Sequence, residues 1–367
     1  MRNSYGYGRQ AIDEFDRIAV DEVLCSDYLT CGPKVREFEQ ALCQYTGATY
    51  CVAVSNATAG LHLAVLAIGL EKGDEGITSP ITFLSSANCL CFAGATPVFA
   101  DINPHTGNID PDEIRRHITP RTKVLIPVHF TGQSCDMETI AGIAREYGLA
   151  VIEDAAHAIG SDYKESKVGS CAYSDMTVFS FHPVKTITTG EGGAVTTNSR
   201  ELYERLLALR AHGMHKDGAM AETWEYEMRE LGFNYRLTDI QAALGLSQLK
   251  KLESFKKRRR EIVSYYNEHL ALPHLEEAPY SNACFHIYPV LVRNRREFYF
   301  RAREVGLNLQ VHYIPVHMQP YYEQFGYEYG QFPNAEAYYR HCISLPLYPL
   351  LTNADLEEIV CRIKEIL

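Results

Sequence analysis

The sequence predicts an α/β fold with a mainly parallel central sheet and a smaller C-terminal α+β domain. Short apolar runs alternate with helical patterns between residues 50 and 197, which is typical of a parallel sheet covered by helices on both faces. A long helical pattern follows, and the alternation restarts after Pro273. The 367 residues are enough for two domains, or for one large domain with an appendage.

The elements of the first part follow from hydrophobic periodicity. Two amphipathic helices are predicted over residues 13–25 and 33–45, because Phe38, Leu42 and Tyr45 share one helical face. The predicted strands are short and apolar, and they cover residues 50–54, 76–78, 96–100, 124–127, 150–153, 176–181 and 193–197. The helices predicted between them cover residues 58–68, 83–92 and 137–147.

The second part begins with a long helix predicted over residues 238–269, which we interpret as a connecting helix. The basic run at residues 256–260 lies inside this helix and is interpreted as a solvated face. The later predicted elements are a strand at 285–292, a helix at 296–305, a strand at 309–313 and a closing helix at 353–366. The predicted division is a large domain with an N-terminal helical segment, residues 1–250, and a connecting helix with a small C-terminal domain, residues 251–367.

Charge and composition argue against several classes of function. The formal net charge of -11 argues against a nucleic-acid partner, which would need a basic face. The longest apolar runs have the length of a strand or a core helix, so no membrane partner is expected. The 11 cysteines are scattered without a disulfide framework or metal-ligand spacing, which is typical of free thiols in the cytoplasm and predicts no metal site.

Lys185 lies between an apolar strand and a glycine-rich turn, in the segment 179–193 with the sequence FSFHPVKTITTGEGG. Neighbours that hold a lysine out of bulk water disfavour its ammonium form, so more of it is free amine. A free amine forms a Schiff base with an aldehyde and can hold pyridoxal phosphate (PLP) covalently. The alternative is a buried strand with a lysine whose charged end reaches solvent, and the segment alone favours neither.

Three further segments place polar groups where strands end or helices begin. Residues 54–60, VSNATAG, offer backbone N–H groups and the Thr58 hydroxyl to a phosphate, although the segment alone favours an ordinary helix N-cap. Asp154 ends an apolar strand, where its carboxylate could pair with the pyridinium nitrogen of PLP or cap a helix. Residues 232–239 place Asn234 before the long helix and can equally be a capped helix start. Together with Lys185, these segments supply the aldehyde-binding amine, the acid and the phosphate anchors that PLP needs.

With these segments, the chain resembles the DegT/DnrJ/EryC1/StrS family of sugar aminotransferases. The resemblance covers nearly the whole chain, and its most specific motifs are the Lys185 segment and GFNYRL at 232–237. It also includes YLTCGP at 28–33, TPVFADI at 96–102 and HYIP at 312–315. It implies PLP as the cofactor and the aspartate aminotransferase-like fold, PLP-dependent fold type I.

The resemblance also implies roles for residues around the cofactor ring. Lys185 is the expected catalytic residue and binds PLP covalently, and Asp154 pairs with the ring nitrogen. Phe83 is similar to the aromatic residue that stacks on the ring. His157 and Gln133 match polar positions near the cofactor.

The phosphate contacts implied by the resemblance come from two subunits. Thr58, the backbone of Ala59, and Ser180 hold the phosphate from one subunit. Asn234 of the partner subunit reaches the same phosphate. A homodimer with shared active sites is therefore expected.

The resemblance extends to one group of substrates. Motifs at 79–83, 232–237 and 309–316 are most similar to family members of pseudaminic acid biosynthesis. These enzymes move an amino group from L-glutamate to the C4 keto group of a UDP-linked 4-keto-6-deoxy sugar, UDP-2-acetamido-2,6-dideoxy-β-L-arabino-4-hexulose. Related members act on other nucleotide-linked 4-keto or 3-keto sugars, and this alternative stays open.

Substrate contacts are expected between the two domains and across the dimer interface. Tyr7, His312 and Tyr313 are the residues that we expect there by analogy, although His312 can equally be an ordinary strand histidine. His317 and Trp224 are interpreted as packing residues.

Three rival interpretations follow from the same fold. PLP-dependent sugar 3-dehydratases resemble this family but have histidine where this chain has Lys185. A non-catalytic PLP-binding regulator would usually add a DNA-reading module, for which this acidic chain has no segment. The third is a homologue with an inactive site, which a colourless purified protein would indicate.

Overall fold

The computed structural model describes residues 4–215 and 224–367. Its α-helices are α1 (Glu14–Leu24), α2 (Pro33–Thr46), α3 (Ala57–Ala67), α4 (Ser85–Phe92), α5 (Pro111–His117), α6 (Met137–Tyr147), α7 (Arg200–Arg210), α8 (Asp239–Leu249), α9 (Leu252–His269), α10 (Arg295–Glu304), α11 (Pro333–His341) and α12 (Asn353–Ile366). Its strands are β1 (Tyr5–Gly6), β2 (Tyr50–Val54), β3 (Glu75–Thr78), β4 (Thr96–Phe99), β5 (Thr122–Ile126), β6 (Ala150–Asp154), β7 (Asp162–Tyr163), β8 (Ser166–Lys167), β9 (Met176–Ser180), β10 (Gly193–Thr197), β11 (Met214–His215), β12 (Glu227–Met228), β13 (Ser281–Asn282), β14 (Tyr288–Leu291), β15 (Leu307–Asn308) and β16 (Cys342–Leu345).

The central sheet has seven strands in the order β2-β10-β9-β6-β5-β3-β4. The pairs from β9 to β4 are parallel, and β10 runs antiparallel to both of its neighbours, β9 and β2. The predicted mainly parallel α/β sheet is therefore confirmed. Because β2 runs in the same direction as β9 and β6, the carboxyl ends of these three strands lie at one edge of the sheet.

Gly193 joins the strand ends at this edge. It pairs with Val54 at the end of β2 and with Ser180 at the end of β9. A Cβ atom at Gly193 would lie 2.7 Å from the carbonyl carbon of Asn56 and 2.8 Å from the nitrogen of Ala57. Glycine at this position therefore allows the start of α3 to pack onto the sheet edge.

Helices cover both faces of the sheet, because alternate residues of each strand point to opposite sides. Val52 and Val54 pack with α3, α4 and α7 on one face, whereas Cys51 and Ala53 pack with α2 and α8 on the other. The helices α5 and α6 cover the second face next to β3, β5 and β6. The strands are buried on both sides, as their continuous apolar runs predict.

The predicted long helix at residues 238–269 is wrong, because the structure has two helices there. A capping box formed by Thr238 and Gln241 begins α8, which ends at Leu249, and α9 begins at Leu252. Lys251 lies between them, and its amine forms ion pairs with Asp13 and Asp16 at the start of α1. Lys250 and Lys251, which link the two helices, keep right-handed helical dihedral angles. A break of this kind leaves the hydrophobic period intact, and the sequence therefore did not indicate it.

The interpretation of residues 256–260 as a solvated face is also wrong in part. Lys256 and Arg259 are buried. The Lys256 amine lies 2.6 Å from a carboxylate oxygen of Asp162, and the Arg259 guanidinium donates to three backbone carbonyls, including that of Leu347 at 3.0 Å. Charged residues three apart share a helix face, so this pair points inward while Lys257 stays exposed.

The predicted strand at residues 309–313 is not present. The nearby strand β15 is shorter and pairs in parallel with β1, and Gln310 makes one isolated bridge to Ser344. The chain then leaves the sheet and carries His312 and Tyr313 to the site described below. The predicted strand at 285–292 is shorter, since β14 spans Tyr288–Leu291 and pairs with β16.

The C-terminal elements have a hydrophobic cluster of their own. It combines side chains of α9, β14, α10, β16 and α12 with the ring of Tyr5. This separate cluster supports the predicted boundary after residue 250, which stays a prediction. Among the described helices, none is long and apolar enough to cross a membrane.

Candidate active site

Lys185 follows the end of β9 and is half-buried. Within the described residues, its amine makes no hydrogen bond or ion pair. Burial lowers its pKa from 10.5 to about 8, although the negative charge of Asp154 opposes that shift. A pKa near 8 leaves about one molecule in ten with a free amine at neutral pH, against fewer than one in a thousand for an ordinary lysine.

The Asp154 carboxylate is buried at the end of β6 and fixed through both oxygens. The Ser86 hydroxyl donates to Oδ2 at 2.6 Å, and the backbone N–H of Ala156 donates to Oδ1 at 3.0 Å. Ser86 is in turn 2.6 Å from the Thr82 hydroxyl. The sequence did not indicate Ser86, because a serine near a helix start has no pattern that separates this role from capping.

The start of α3 has the geometry of a capped helix. Asn56 accepts from the backbone N–H of Ala59 at 2.8 Å, so this N–H already has a partner. The Thr58 hydroxyl is 2.7 Å from the Ser85 hydroxyl. The N-cap that the segment alone favoured is therefore present. The N-terminus of α3 still provides the positive end of a helix dipole. It lies close to Ser180, because Gly193 pairs with Ser180 and packs against the first residues of α3.

A group of histidine and tyrosine rings lies beside Lys185. The Nε2 atom of His157 is 3.1 Å from the Tyr313 hydroxyl, and the His312 ring packs 4.9 Å from both Tyr313 and Tyr7. Burial, together with the charge of Lys185, lowers the pKa of His157 well below its usual range and that of His312 to about 3. The histidines are therefore neutral at physiological pH.

The three predicted substrate residues, Tyr7, His312 and Tyr313, therefore lie in one cluster. The pKa of Tyr313 is raised mainly by burial and also by the charges of Tyr7 and Asp154. His312 is additionally fixed by the Ser344 hydroxyl, 2.8 Å from its Nδ1 atom. The cluster gives the site hydroxyl and imidazole groups that can donate or accept hydrogen bonds without carrying charge.

Phe83 is 58% exposed, and its ring centroid lies 6.2 Å from that of Tyr313. An exposed aromatic ring at the edge of a polar cluster can stack on a planar ligand. Phe83 precedes α4, whose first residues include the serines that bind Asp154 and Thr58. The helix expected to begin at Phe83 begins two residues later, at Ser85.

Gln133 is held by backbone groups at both ends of its side-chain amide. Its nitrogen donates to the carbonyls of Thr106 and Glu276, and its oxygen accepts from the N–H of Ala278 at 3.1 Å. These bonds indicate that Gln133 joins two loops, and we do not propose it as a cofactor contact.

Asn234 is exposed and makes no side-chain hydrogen bond with the described part of the chain. Its backbone forms a bridge with Ala211, while the carbonyl of the next residue, Tyr235, accepts from Ser55 at 2.8 Å. The segment is thus fixed next to the start of α3, with the Asn234 side chain exposed to solvent.

His317 and Trp224, the two residues interpreted as packing residues, have different surroundings. The His317 ring is buried, and its Nε2 atom lies 3.1 Å from a carboxylate oxygen of Glu336, which confirms packing. Trp224 is 72% exposed, so the interpretation of it as a loop packing residue is wrong within this chain.

The residues around Lys185 fit PLP. The amine has a lowered pKa, a fixed carboxylate lies within electrostatic range, and an exposed aromatic ring is nearby. The buried Nδ1 atom of His157 has no hydrogen-bond partner among the described residues, so it can bond to a polar atom of a ligand.

Comparisons with known proteins identify the family. The profile of the DegT/DnrJ/EryC1/StrS aminotransferase family matches residues 10–364. The spore coat polysaccharide biosynthesis protein SpsC of Bacillus subtilis is 42% identical over 377 residues, which covers 98% of this chain and 95% of SpsC. Helicobacter pylori PseC, an aminotransferase involved in the biosynthesis of pseudoaminic acid, is 34% identical with a TM-score of 0.94 and covers 99% of both chains.

A third similar protein is the PLP-form of the putative sugar aminotransferase Spr1654 from Streptococcus pneumoniae. It is 29% identical, with a TM-score of 0.92 over 100% of both chains. The fold is therefore that of the PLP-dependent sugar aminotransferases, and the cofactor is PLP. This chain belongs to the DegT/DnrJ/EryC1/StrS aminotransferase family.

Proposed function

We propose that the protein transfers an amino group from L-glutamate to the C4 keto group of UDP-2-acetamido-2,6-dideoxy-β-L-arabino-4-hexulose, a step of pseudaminic acid biosynthesis in the cytoplasm. The similarity to PseC over 99% of the chain supports this substrate. The observation that carries the chemistry is the Lys185 amine. Burial lowers its pKa to about 8, and the amine lies within electrostatic range of the Asp154 carboxylate.

Lys185 is proposed to be both the covalent attachment point of PLP and the general acid and base. PLP supplies an electron sink for the negative charge that develops at the reacting carbon. As a free amine, the Lys185 Nζ atom accepts the proton from the α-carbon of the amino donor. In the second half of the reaction, the same nitrogen returns a proton to C4 of the sugar.

Asp154 is proposed to hold the proton on the cofactor ring nitrogen. Its two hydrogen bonds, from Ser86 and from the N–H of Ala156, fix the carboxylate before any ligand binds. A preorganised charge of this kind costs no rearrangement during the reaction. Thr58, Ser180 and the N-terminus of α3 are proposed to hold the phosphate, and Phe83 to stack on the ring.

The proposed substrate contacts are the neutral rings of Tyr7, His312 and Tyr313. A sugar presents hydroxyl and keto oxygens without charge, and such groups are recognised by hydrogen bonds from uncharged partners. The lowered pKa of His312, about 3, keeps this ring neutral across the pH range of the cell.

We also propose that the active enzyme is a homodimer. The Asn234 side chain is exposed and makes no hydrogen bond with the described residues, which suits a side chain that completes the phosphate site of the partner subunit. The division at residues 250 and 251 would then place the sugar nucleotide between the two domains and against the second subunit.

The decisive experiment is a half-reaction. The enzyme is loaded as its pyridoxamine phosphate form and offered a panel of UDP-, GDP- and dTDP-linked keto sugars. We expect the return of the PLP absorbance with the UDP-linked 4-keto-6-deoxy sugar, and its absence in the Lys185→Ala variant. Turnover of another panel member without turnover of this sugar would contradict the proposed substrate, and full turnover by Lys185→Ala would contradict the mechanism.

A second candidate substrate, another nucleotide-linked 4-keto or 3-keto sugar, is favoured by the relative SpsC. It is 42% identical to this chain, against 34% for PseC, and its name refers to spore coat polysaccharide biosynthesis. The same panel separates the two candidates, since each sugar is tested as the amino acceptor of one loaded enzyme.

A further inference from the structure

His286 is a buried histidine in direct contact with His157. The two ring centroids lie 4.4 Å apart, with the ring planes at 54°. Both residues are buried, and in each ring a buried Nδ1 atom has no hydrogen-bond partner among the described residues. Buried polar atoms are nearly always paired, so two neighbouring exceptions point to a functional arrangement.

The backbone holds the two histidines at a fixed spacing. The N–H of His286 donates to the carbonyl of Thr131 at 2.7 Å, and the carbonyl of His286 accepts from the Arg259 guanidinium at 3.2 Å. A Cβ atom at Gly132 would lie 2.8 Å from the carbonyl oxygen of His157 and 3.0 Å from the nitrogen of His286. Glycine at 132 therefore permits the close approach of the two backbones.

The charged and titratable groups around the pair come from several elements, and they are Lys185, Arg259, His312 and Tyr313. Burial and the nearby positive charges hold the pKa of both His157 and His286 well below the usual range. The rings are therefore neutral, and packing rather than charge sets their orientation. The Tyr313 hydroxyl contacts the His157 ring at Nε2, and the His286 ring, at 4.4 Å, lies nearer to it than the rings of Tyr313 at 6.0 Å and Phe130 at 6.1 Å.

We propose that His286 is a positioning residue of the active site, whose ring holds the His157 ring, and with it the Tyr313 hydroxyl, in one orientation beside Lys185. The role depends on the aromatic ring of His286 and not on its charge. It rests on the proposed active site and on PLP binding, and it is independent of the sugar.

The test compares His286→Leu with His286→Phe as purified holoenzymes. The readout is the midpoint of the change in visible absorbance of bound PLP with pH, which reports the electrostatic surroundings of the Lys185 nitrogen. In His286→Leu the His157 ring loses its nearest aromatic neighbour, and we expect the midpoint to move by about one pH unit, the equivalent of one hydrogen bond. In His286→Phe, which keeps a ring, we expect the wild-type midpoint.

The matched control is His274→Leu, which removes a half-buried histidine that packs on Tyr288. Thermal unfolding of all variants separates a loss of stability from a change at the site. If His286→Leu does not fold, His286→Asn removes the ring at smaller volume and is expected to shift the midpoint likewise. An unchanged midpoint in a folded variant without the ring, or an equal shift in His286→Phe, would overturn the proposal. If the wild-type protein turns over no keto sugar but the His286 variants show the expected midpoints, the proposed function alone is overturned.

Discussion

Burial determines the protonation of the groups around Lys185. The amine has a pKa lowered to about 8, and His312 has one lowered to about 3, so both tend towards their neutral forms. The Asp154 carboxylate accepts hydrogen bonds from the Ser86 hydroxyl and the backbone N–H of Ala156. One buried region thus contains a reactive amine, neutral imidazoles and a fixed negative charge.

The lowered pKa of Lys185 predicts how cofactor uptake depends on pH. The amine reacts only when deprotonated, so uptake should increase with pH through the folded-state pKa and then reach a plateau. From about pH 7 to about pH 9 we expect the rate to rise about tenfold, and an ordinary lysine would give about a hundredfold. The measurement is stopped-flow absorbance after mixing the apoenzyme with PLP. A rate that continues to rise tenfold per pH unit above about pH 9 would contradict the shift.

The hydrogen bond from Ser86 predicts a cofactor phenotype for Ser86→Ala. The variant leaves Oδ2 of the buried Asp154 carboxylate without its hydrogen-bond donor. An unsatisfied buried group of this kind costs about 1–3 kcal/mol of free energy. We expect PLP to bind about tenfold more weakly and its absorbance maximum to shift, as measured by spectrophotometric titration. Ser254→Ala, which removes an exposed hydroxyl on α9, serves as the control and should bind PLP normally. Equal PLP affinity in the two variants would exclude a role for Ser86.

The sequence predicted which residues carry the chemistry better than it predicted the hydrogen bonds and ring contacts around them. Lys185 and Asp154 follow apolar strands, so the order of parallel strands was enough to place them at one sheet edge. Ser86 and His286 had no such signal, because their partners are far away in the sequence. The amide of Gln133 bonds to two loops, and only a three-dimensional structure shows that its hydrogen bonds are already made.

At the scale of elements, the start of α3 connects stability with phosphate binding. Asn56 caps this helix, and the sheet edge at Gly193 supports its first turn. The dipole of the helix acts on a phosphate only if that turn is formed. The cap therefore contributes to cofactor affinity as well as to folding.

The cap predicts two separable effects of Asn56→Ala. We expect the free energy of unfolding to fall by about 1 kcal/mol, as for other N-cap substitutions, and the affinity for PLP to fall about fivefold. Asn294→Ala removes the N-cap of α10 in the C-terminal part and is the matched control. It should lose similar stability in a denaturant titration but retain PLP affinity. Equal PLP affinity in both variants would show that α3 does not act on the phosphate.

Hydrophobic periods predicted the seven strands of the central sheet and the helices α3, α4 and α6, because each of these segments has its own apolar pattern, but they did not predict α5 and α7. Hydrophobic periods did not predict the structure where contacts between residues far apart in the sequence determine it. Residues 309–313 have an apolar pattern, but they form no strand of their own: the preceding strand β15 pairs with β1 over two residues, and Gln310 makes one isolated bridge to Ser344. The break between α8 and α9 keeps helical dihedral angles, and the inward direction of Arg259 depends on three backbone carbonyls that the sequence does not indicate.

At the scale of the whole molecule, apolar side chains remain exposed in the N-terminal region. Phe15 is 75% exposed, and Ile18, Leu24, Tyr28 and Leu29 are also exposed. Large apolar side chains close together on a surface are typical of an interface with another protein. The proposed role of the exposed Asn234 also involves a second subunit, and both observations support the proposed homodimer.

The proposed homodimer predicts that a charge at Phe15 weakens assembly and cofactor binding together. Phe15→Asp would place a carboxylate in an apolar interface, which should cost about 2 kcal/mol or more, roughly thirtyfold in the dimer dissociation constant. PLP affinity should fall with it, because Asn234 of the partner subunit no longer reaches the phosphate. Phe300→Asp is the control, since Phe300 is 52% exposed on α10 and outside the N-terminal region. Sedimentation velocity and PLP titration at matched concentrations measure both effects, and a monomeric wild-type protein with full PLP affinity would contradict shared active sites.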